Sequence, residues 1–280
     1  MTDQDPRPAL DSAAELIESA QAVLVCAGAG IGVDSGLPDF RGDEGFWQAY
    51  PPYAELGFSF AEIADPVHFA QDPHLAWGFY GHRLQLYRRI EPHKGFAILR
   101  HWMETAPLGG KVFTSNVDGQ FQKAGFASED VIEAHGSIHA LQCLRPCGTE
   151  VWSAEDTDLI IDESRMRALN PLPRCPNCGD VARPNILMFG DLDWLGARTQ
   201  DALAGLSALR RELRGKRLVT VEVGAGTAVP TVRRQAELSS ATDGSLIRIN
   251  PREAQVRHGR GIEVPLGALE ALTAINERLG

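Results

Sequence analysis

Excess positive charge is missing from this chain. Its formal net charge is −10 over 280 residues, which argues against a broad nucleic-acid footprint. The densest basic run, Arg210-Arg211 to Arg217, reads as the solvated end of a helix. No apolar run is long enough to span a bilayer, so no membrane partner is expected. The stretch Met1 to Leu10 is polar, contains two prolines and lacks the apolar centre of a secretory signal. Internal repeats and low-complexity tracts are absent. Cysteine is sparse, with five residues, and they are not spread as a disulfide framework. Four fall in two close pairs, which points to metal binding in a reducing, cytoplasmic compartment. At 44% hydrophobic and 23% charged, the composition suits a globular protein with one large or two small domains.

What is present starts with glycine. Ala22-Val23-Leu24-Val25 reads as a buried parallel strand, and Cys26-Ala27-Gly28-Ala29-Gly30-Ile31-Gly32-Val33-Asp34-Ser35-Gly36 follows it. A strand running into a glycine-rich loop is a usual way to hold a pyrophosphate on backbone N–H groups. Leu37-Pro38-Asp39-Phe40-Arg41 then adds an acid, an aromatic ring and a cation beside that loop. The combination suggests a dinucleotide with chemistry at its far end.

Alternating helices and strands follow. Asp11 is placed to cap a helix over Ser12 to Ala20. Residues 43–90 hold aromatics, prolines and short helical pieces, including Pro73 to Ile90, with no clear strand. Helices are expected over His93 to Thr105, Trp194 to Arg214 and Pro265 to Leu279. Strands are expected over Lys111 to Ser115, Val131 to Ala134, Ile186 to Phe189, Arg217 to Val223 and Ser245 to Ile249. The fold class is therefore α/β, a doubly wound parallel sheet, with ligands beyond the carboxyl ends of its strands. A hydride-transfer enzyme would need a second strand near residue 50 carrying an acid for the ribose, and none is visible.

Cys143-Leu144-Arg145-Pro146-Cys147 and Cys175-Pro176-Asn177-Cys178 pair as C-x3-C and C-x2-C. Four thiolates so grouped suit tetrahedral zinc, and a site filled by four sulfurs has no open position, so the role is structural. Cys26, alone on the first strand, reads as a small buried apolar residue. Three polar segments end predicted strands. Asn116 and Asp118, in Thr114-Ser115-Asn116-Val117-Asp118-Gly119, either reach into a ligand crevice or cap a helix. His135 before Gly136 is either a general base or a structural histidine. Gly224-Ala225-Gly226-Thr227 either holds phosphate or ribose, or is a plain turn.

In order and spacing, these pieces resemble the sirtuin family, the NAD-dependent protein lysine deacylases, from about Ala22 to Leu279. The likeness is carried by Gly28-Ala29-Gly30-Ile31 with Ser35 to Arg41, Thr114 to Asp118, His135-Gly136, the four cysteines, Arg183 to Asp191, Gly226-Thr227 and Ile249-Asn250. The resemblance implies a Rossmann-like part over 8–42, 90–136 and 185–280, a helical lobe over 43–89 and a zinc-binding module over 137–184. It implies NAD and zinc as cofactors and an acyl-lysine protein as partner. The acyl oxygen would attack the ribose carbon as nicotinamide leaves, and His135 would take a proton from a ribose hydroxyl. Asp118 would hold the nicotinamide carboxamide, and Asn116 would position ribose or water. Gly28, Ala29, Gly30, Ser115, Val117, Gly226, Thr227 and Asn250 would line the cofactor, Asp39 and Arg41 would help bind it, and Phe40 would screen the reacting carbon from water and from rebinding nicotinamide. Phe189, Gly190 and Asp191 would pair with an extended peptide. Tyr80 and Arg83 would fit an acidic acyl group such as succinyl.

The chain departs from the family pattern at Gly32, Ser115 and Ala228, where serine, glutamine and serine are usual. Asp191 stands for the usual glutamate, and the first cysteine pair is spaced C-x3-C. Each lost hydroxyl or amide removes a hydrogen bond worth on the order of 1 kcal/mol. Two other uses of such a site are an ADP-ribosyltransferase or NAD glycohydrolase, and a non-catalytic NAD-binding or zinc module. Retention of His135 favours the deacylase.

Overall fold

The computed structural model describes residues 5–38, 46–48 and 50–280. Six parallel strands form the main sheet: β1 (Ala22–Ala27), β2 (Gly110–Thr114), β3 (Val131–Glu133), β9 (Leu218–Val223), β10 (Gly244–Ile249) and β11 (Gly261–Val264). Their order is β11-β10-β9-β1-β2-β3. From β1 the chain winds outward to β3, then returns to lay β9, β10 and β11 on the other side. Strand order therefore reverses between β1 and β9, and loops leaving their carboxyl ends part to open a crevice.

Alternation along β1 divides the core. Val23, Val25 and Ala27 point to the face covered by helices Arg7–Glu18, Lys94–Thr105 and Ala268–Leu279. Ala22, Leu24 and Cys26 point to the opposite face, under helices Ala197–Glu212 and Thr231–Asp243. A strand buried on both sides reads as a continuous apolar run unless its polar groups are paired, which is why 22–25 was legible as one. Cys26 is fully buried, as expected of a small apolar residue, and burial pushes its thiol pKa up.

A second body packs beside this sheet. In it β4 (Gly136–Cys143) pairs antiparallel with β5 (Trp152–Ser153) and β8 (Ala182–Ile186), while β6 (Ile161–Asp162) and β7 (Arg167–Ala168) form a separate ribbon. Helix Pro73–Arg89 lies against them, and Tyr53, Phe69, Trp77, Phe79, Ile138 and Leu141 share its core. The helix starts where the Asp72 carboxylate accepts the Leu75 N–H at 3.2 Å. No helix among the described residues is long and apolar enough to cross a membrane.

Two expectations need correction, and one strand was not foreseen. The first helix begins at Arg7 behind Pro6, so Asp11 is not its cap. Asp11 lies inside the helix and pairs with Arg278. Proline at the start of a helix costs nothing, because its missing N–H would have had no partner there. The apolar run 186–189 is not a strand of the main sheet. The strand is Ala182–Ile186, antiparallel to β4. Its polar residues hide it from a hydrophobicity reading, yet they are buried because they are paired. Arg183 grips Asp191 at 2.7 and 2.8 Å, and Asn185 bonds Gln142 at 2.9 Å. β11 was not foreseen, since Gly261-Ile262-Glu263-Val264 is short and carries a charge.

Candidate functional site

Two glycine turns meet at the switch point. Gly28 N–H donates to the Val223 carbonyl, and Gly30 N–H to the Gly224 carbonyl, both at 3.0 Å. A Cβ on Gly28 would lie 2.7 Å from the Ala225 Cα. Gly224 has φ +64°, and a Cβ there would lie 2.3 Å from the Ile31 nitrogen. Only backbones without side chains can cross this closely. The second turn is anchored from beneath: Asn250 Nδ2 and Arg233 Nε both donate to the Ala225 carbonyl, at 2.8 and 3.2 Å. The first is held by His93, which sequence reasoning missed. Its Nδ1 accepts the Gly95 N–H at 3.0 Å, so Nε2 carries the proton it donates to the Ile31 carbonyl at 2.8 Å. Burial lowers its pKa, which keeps that neutral form. A histidine directly before a helix start was the available signal.

A cavity of about 680 Å³ opens over these turns. Gly28, Ala29, Gly30, Ser115, Asn116, Val117, Asp118, His135, Gly226 and Thr227 line it, as do Tyr80, Arg83 and Phe189. Asn116 Nδ2 donates to the Gly28 carbonyl at 3.1 Å, tying the end of β2 to the first glycine turn. Asp118 accepts the Gln120 N–H at 2.9 Å. Burial raises its carboxyl pKa to about 6, against the opposing pull of that N–H and of the Arg83 charge. His135 leaves β3 with its Nε2 3.3 Å from the Thr231 hydroxyl, and burial pushes its pKa down. Gly136 follows with φ +76°, and a Cβ there would sit 2.0 Å from the Asn185 carbonyl oxygen. Close packing of β4 on β8 thus fixes where the imidazole stands.

Other expected residues are placed elsewhere. Asn250 is fully buried beneath the second turn and is not in the cavity wall. Gly190 and Asp191 are also outside the wall, and the Asp191 carboxylate is spent on Arg183. Asp39, Phe40 and Arg41 lie outside the described residues. Phe60, Tyr87, Arg252 and Glu253 line the cavity without having been singled out, beside Leu37 and Met188 from the sequence motifs. Glu253 also accepts the Thr227 hydroxyl at 2.7 Å.

Well apart in sequence, the four cysteines converge. Their sulfurs all lie within 4.8 Å of one another, with Cys143 and Cys178 at 3.5 Å and Cys147 and Cys175 at 3.6 Å. A tetrahedron of sulfurs at about 2.3 Å from zinc has edges of about 3.8 Å, so the cluster fits that ion. Asn177 Nδ2 stands 3.5 Å from the Cys147 sulfur, a further donor to a thiolate.

A reversing parallel sheet with facing glycine turns, joined to a thiolate cluster, defines a class: dinucleotide-binding α/β proteins with a structural metal module. A model of the Sir2 family matches residues 28–204, and the chain belongs to that family. A relative from Aquifex aeolicus (strain VF5), described as an NAD-dependent protein deacylase, is 31% identical over 238 residues, 84% of this chain and 85% of that one. A relative of the same description from Aeropyrum pernix is 28% identical over 267 residues, 95% of this chain and 96% of that one. Among solved structures, a Sir2 homologue in complex with NAD superposes with a TM-score of 0.66 at 23% identity, covering 95% of this chain and 94% of that one. Sir2Tm bound to a propionylated peptide superposes with a TM-score of 0.67 at 20% identity, covering 95% and 97%. These two likenesses establish the shared fold.

Proposed function

We propose that this chain is an NAD-dependent protein lysine deacylase that moves the acyl group of a modified lysine onto ADP-ribose and frees nicotinamide. One observation carries the reading: His135, Asn116 and Asp118 converge on the same cavity as both glycine turns. Bound NAD supplies an electrophilic ribose carbon there. The glycine turns take its pyrophosphate on those backbone N–H groups that the turn-to-turn bonds of Gly28 and Gly30 leave over, and their contact leaves no space for side chains to intrude. Asp118, as the carboxylate, accepts the nicotinamide amide N–H. Asn116 fixes the ribose against the first turn. His135, kept neutral by burial, accepts a proton from a ribose hydroxyl as the acyl group transfers. The low-dielectric wall around them strengthens each of these interactions.

An acylated lysine reaches the cavity past Leu187, Met188 and Phe189. Phe189 N–H donates to the Ala64 carbonyl at 3.1 Å, which ties this stretch to the second body at the cavity wall, where an extended peptide would lie. At the acyl end, Arg83 and Tyr80 are nearly buried in the cavity wall. A buried guanidinium among aromatic rings favours an acyl chain that ends in a carboxylate. Four reduced thiols arranged for zinc fit a cytoplasmic setting.

Incubation with NAD and a panel of acetyl- and succinyl-lysine peptides, with products identified by mass, tests the reading. The expected products are O-acyl-ADP-ribose, nicotinamide and free lysine peptide. ADP-ribosylated protein, or free ADP-ribose with the acyl group retained, would contradict it and favour the transferase or glycohydrolase use of the site.

A further inference from the structure

The acyl end of the cavity contains a group with no role assigned so far. Tyr87 stands one helical turn after Arg83 on helix Pro73–Arg89. Its phenol oxygen accepts Nε of Arg83 at 3.0 Å and Nη2 at 2.8 Å. The guanidinium carbon is 5.4 Å from the Tyr87 ring centroid, 5.1 Å from that of Phe79 and 5.8 Å from that of Tyr80. Tyr87 is 5% exposed, and like Tyr80 and Arg83 it lines the cavity.

This pairing differs in kind from a surface ion pair. A carboxylate in the place of Tyr87 would cancel the Arg83 charge from within. A phenol orients the guanidinium through two N–H bonds and does not itself neutralise it. Burial raises the Tyr87 pKa, so the phenol stays protonated and neutral at working pH. We propose that Tyr87 is a positioning residue for acyl specificity: it holds Arg83 in the orientation that receives the terminal carboxylate of a dicarboxylic acyl chain. The inference rests on the reading of Tyr80 and Arg83 as the acyl-carboxylate subsite.

Steady-state kinetics on matched succinyl and acetyl peptides test it. Tyr87→Phe keeps the ring and removes the acceptor. The expected result is a KM for succinyl peptide about tenfold higher, with kcat changed far less, so that the succinyl-to-acetyl ratio of kcat/KM falls about tenfold. Tyr87→Gln, whose amide oxygen can accept the same N–H groups, is expected to recover part of that ratio. It also keeps the test open if the Phe variant folds poorly. Arg83→Met serves as the reference and is expected to lower the ratio further. If Arg83→Met lowers the ratio and Tyr87→Phe leaves it unchanged, the positioning role is refuted and the subsite reading stands. If Arg83→Met lowers both substrates equally, the subsite reading is refuted and the role of Tyr87 falls with it.

Discussion

Protonation at two side chains sets the pH range in which this site can work. In the proposed reaction Asp118 works as a carboxylate and His135 as a neutral imidazole. Burial shifts the two in opposite directions, the Asp118 carboxyl up to about 6 and the His135 imidazole below its ordinary 6.5. Both working forms prevail on the alkaline side of these values. The rate with NAD and acyl peptide should therefore climb with pH through about 6 and level off near neutrality. A rate that is flat or falling across that range would contradict the assigned protonation states. The same shift bears on stability. The folded Asp118 carboxyl titrates above its unfolded value of 3.8, so its stabilising contribution is present below that value and lost as pH rises through about 6. Asp118→Asn should then stabilise the fold at pH 7 by on the order of 2 kcal/mol while removing activity, which calorimetry and turnover read independently.

Elements separate what was legible in the sequence from what was not. The glycine turns were visible because their function demands a residue type: no side chain fits where Gly28 and Gly224 pass each other. The cysteine pairs were visible for the same reason. Metal ligation dictates both chemistry and spacing, and the four sulfurs meet as expected. β8 was misplaced because its buried residues are polar and satisfied by partners distant in sequence, such as Gln142 for Asn185. Asn250, expected at the ligand, also supports the second turn through its bond to the Ala225 carbonyl, a role that only packing shows. Tyr87 was accessible in principle, since a tyrosine four residues after an arginine on a helix shares its face. Metal removal tests the module at this scale. A chelator should lower the unfolding midpoint by roughly 10 °C, because zinc binds the folded ligands far better than the unfolded chain. One zinc per chain in the untreated protein, lost with the same treatment, is the accompanying result. An untreated protein without stoichiometric metal would contradict the assignment.

Across the whole molecule, function arises between two bodies that neither could supply alone. The parallel sheet contributes both glycine turns, Asn116 and Asp118, all at strand ends beside the reversal in strand order. The second body contributes Tyr80, Arg83 and Tyr87 from helix Pro73–Arg89, and the stretch Leu187 to Phe189 after β8. His135 stands at the junction, on the single step from β3 into β4. The close pairing of β4 with β8 at Gly136 therefore sets the position of the imidazole relative to the crevice. That the main sheet is parallel was readable from the alternation of helices and strands. The joining of the bodies was not, since it depends on β4 and β8, whose paired residues, Gly136 with Ile186 through Cys143 with Ala182, lie far apart in sequence.

A crystal structure with NAD and an acyl-lysine peptide bound together tests that arrangement most directly. The expected result has the pyrophosphate on the Gly28–Gly30 and Gly226–Thr227 backbones, the nicotinamide amide at Asp118 and the His135 imidazole within hydrogen-bond reach of a ribose hydroxyl. A nucleotide seated away from the crossing of the two turns, or a ribose that His135 cannot reach, would contradict it.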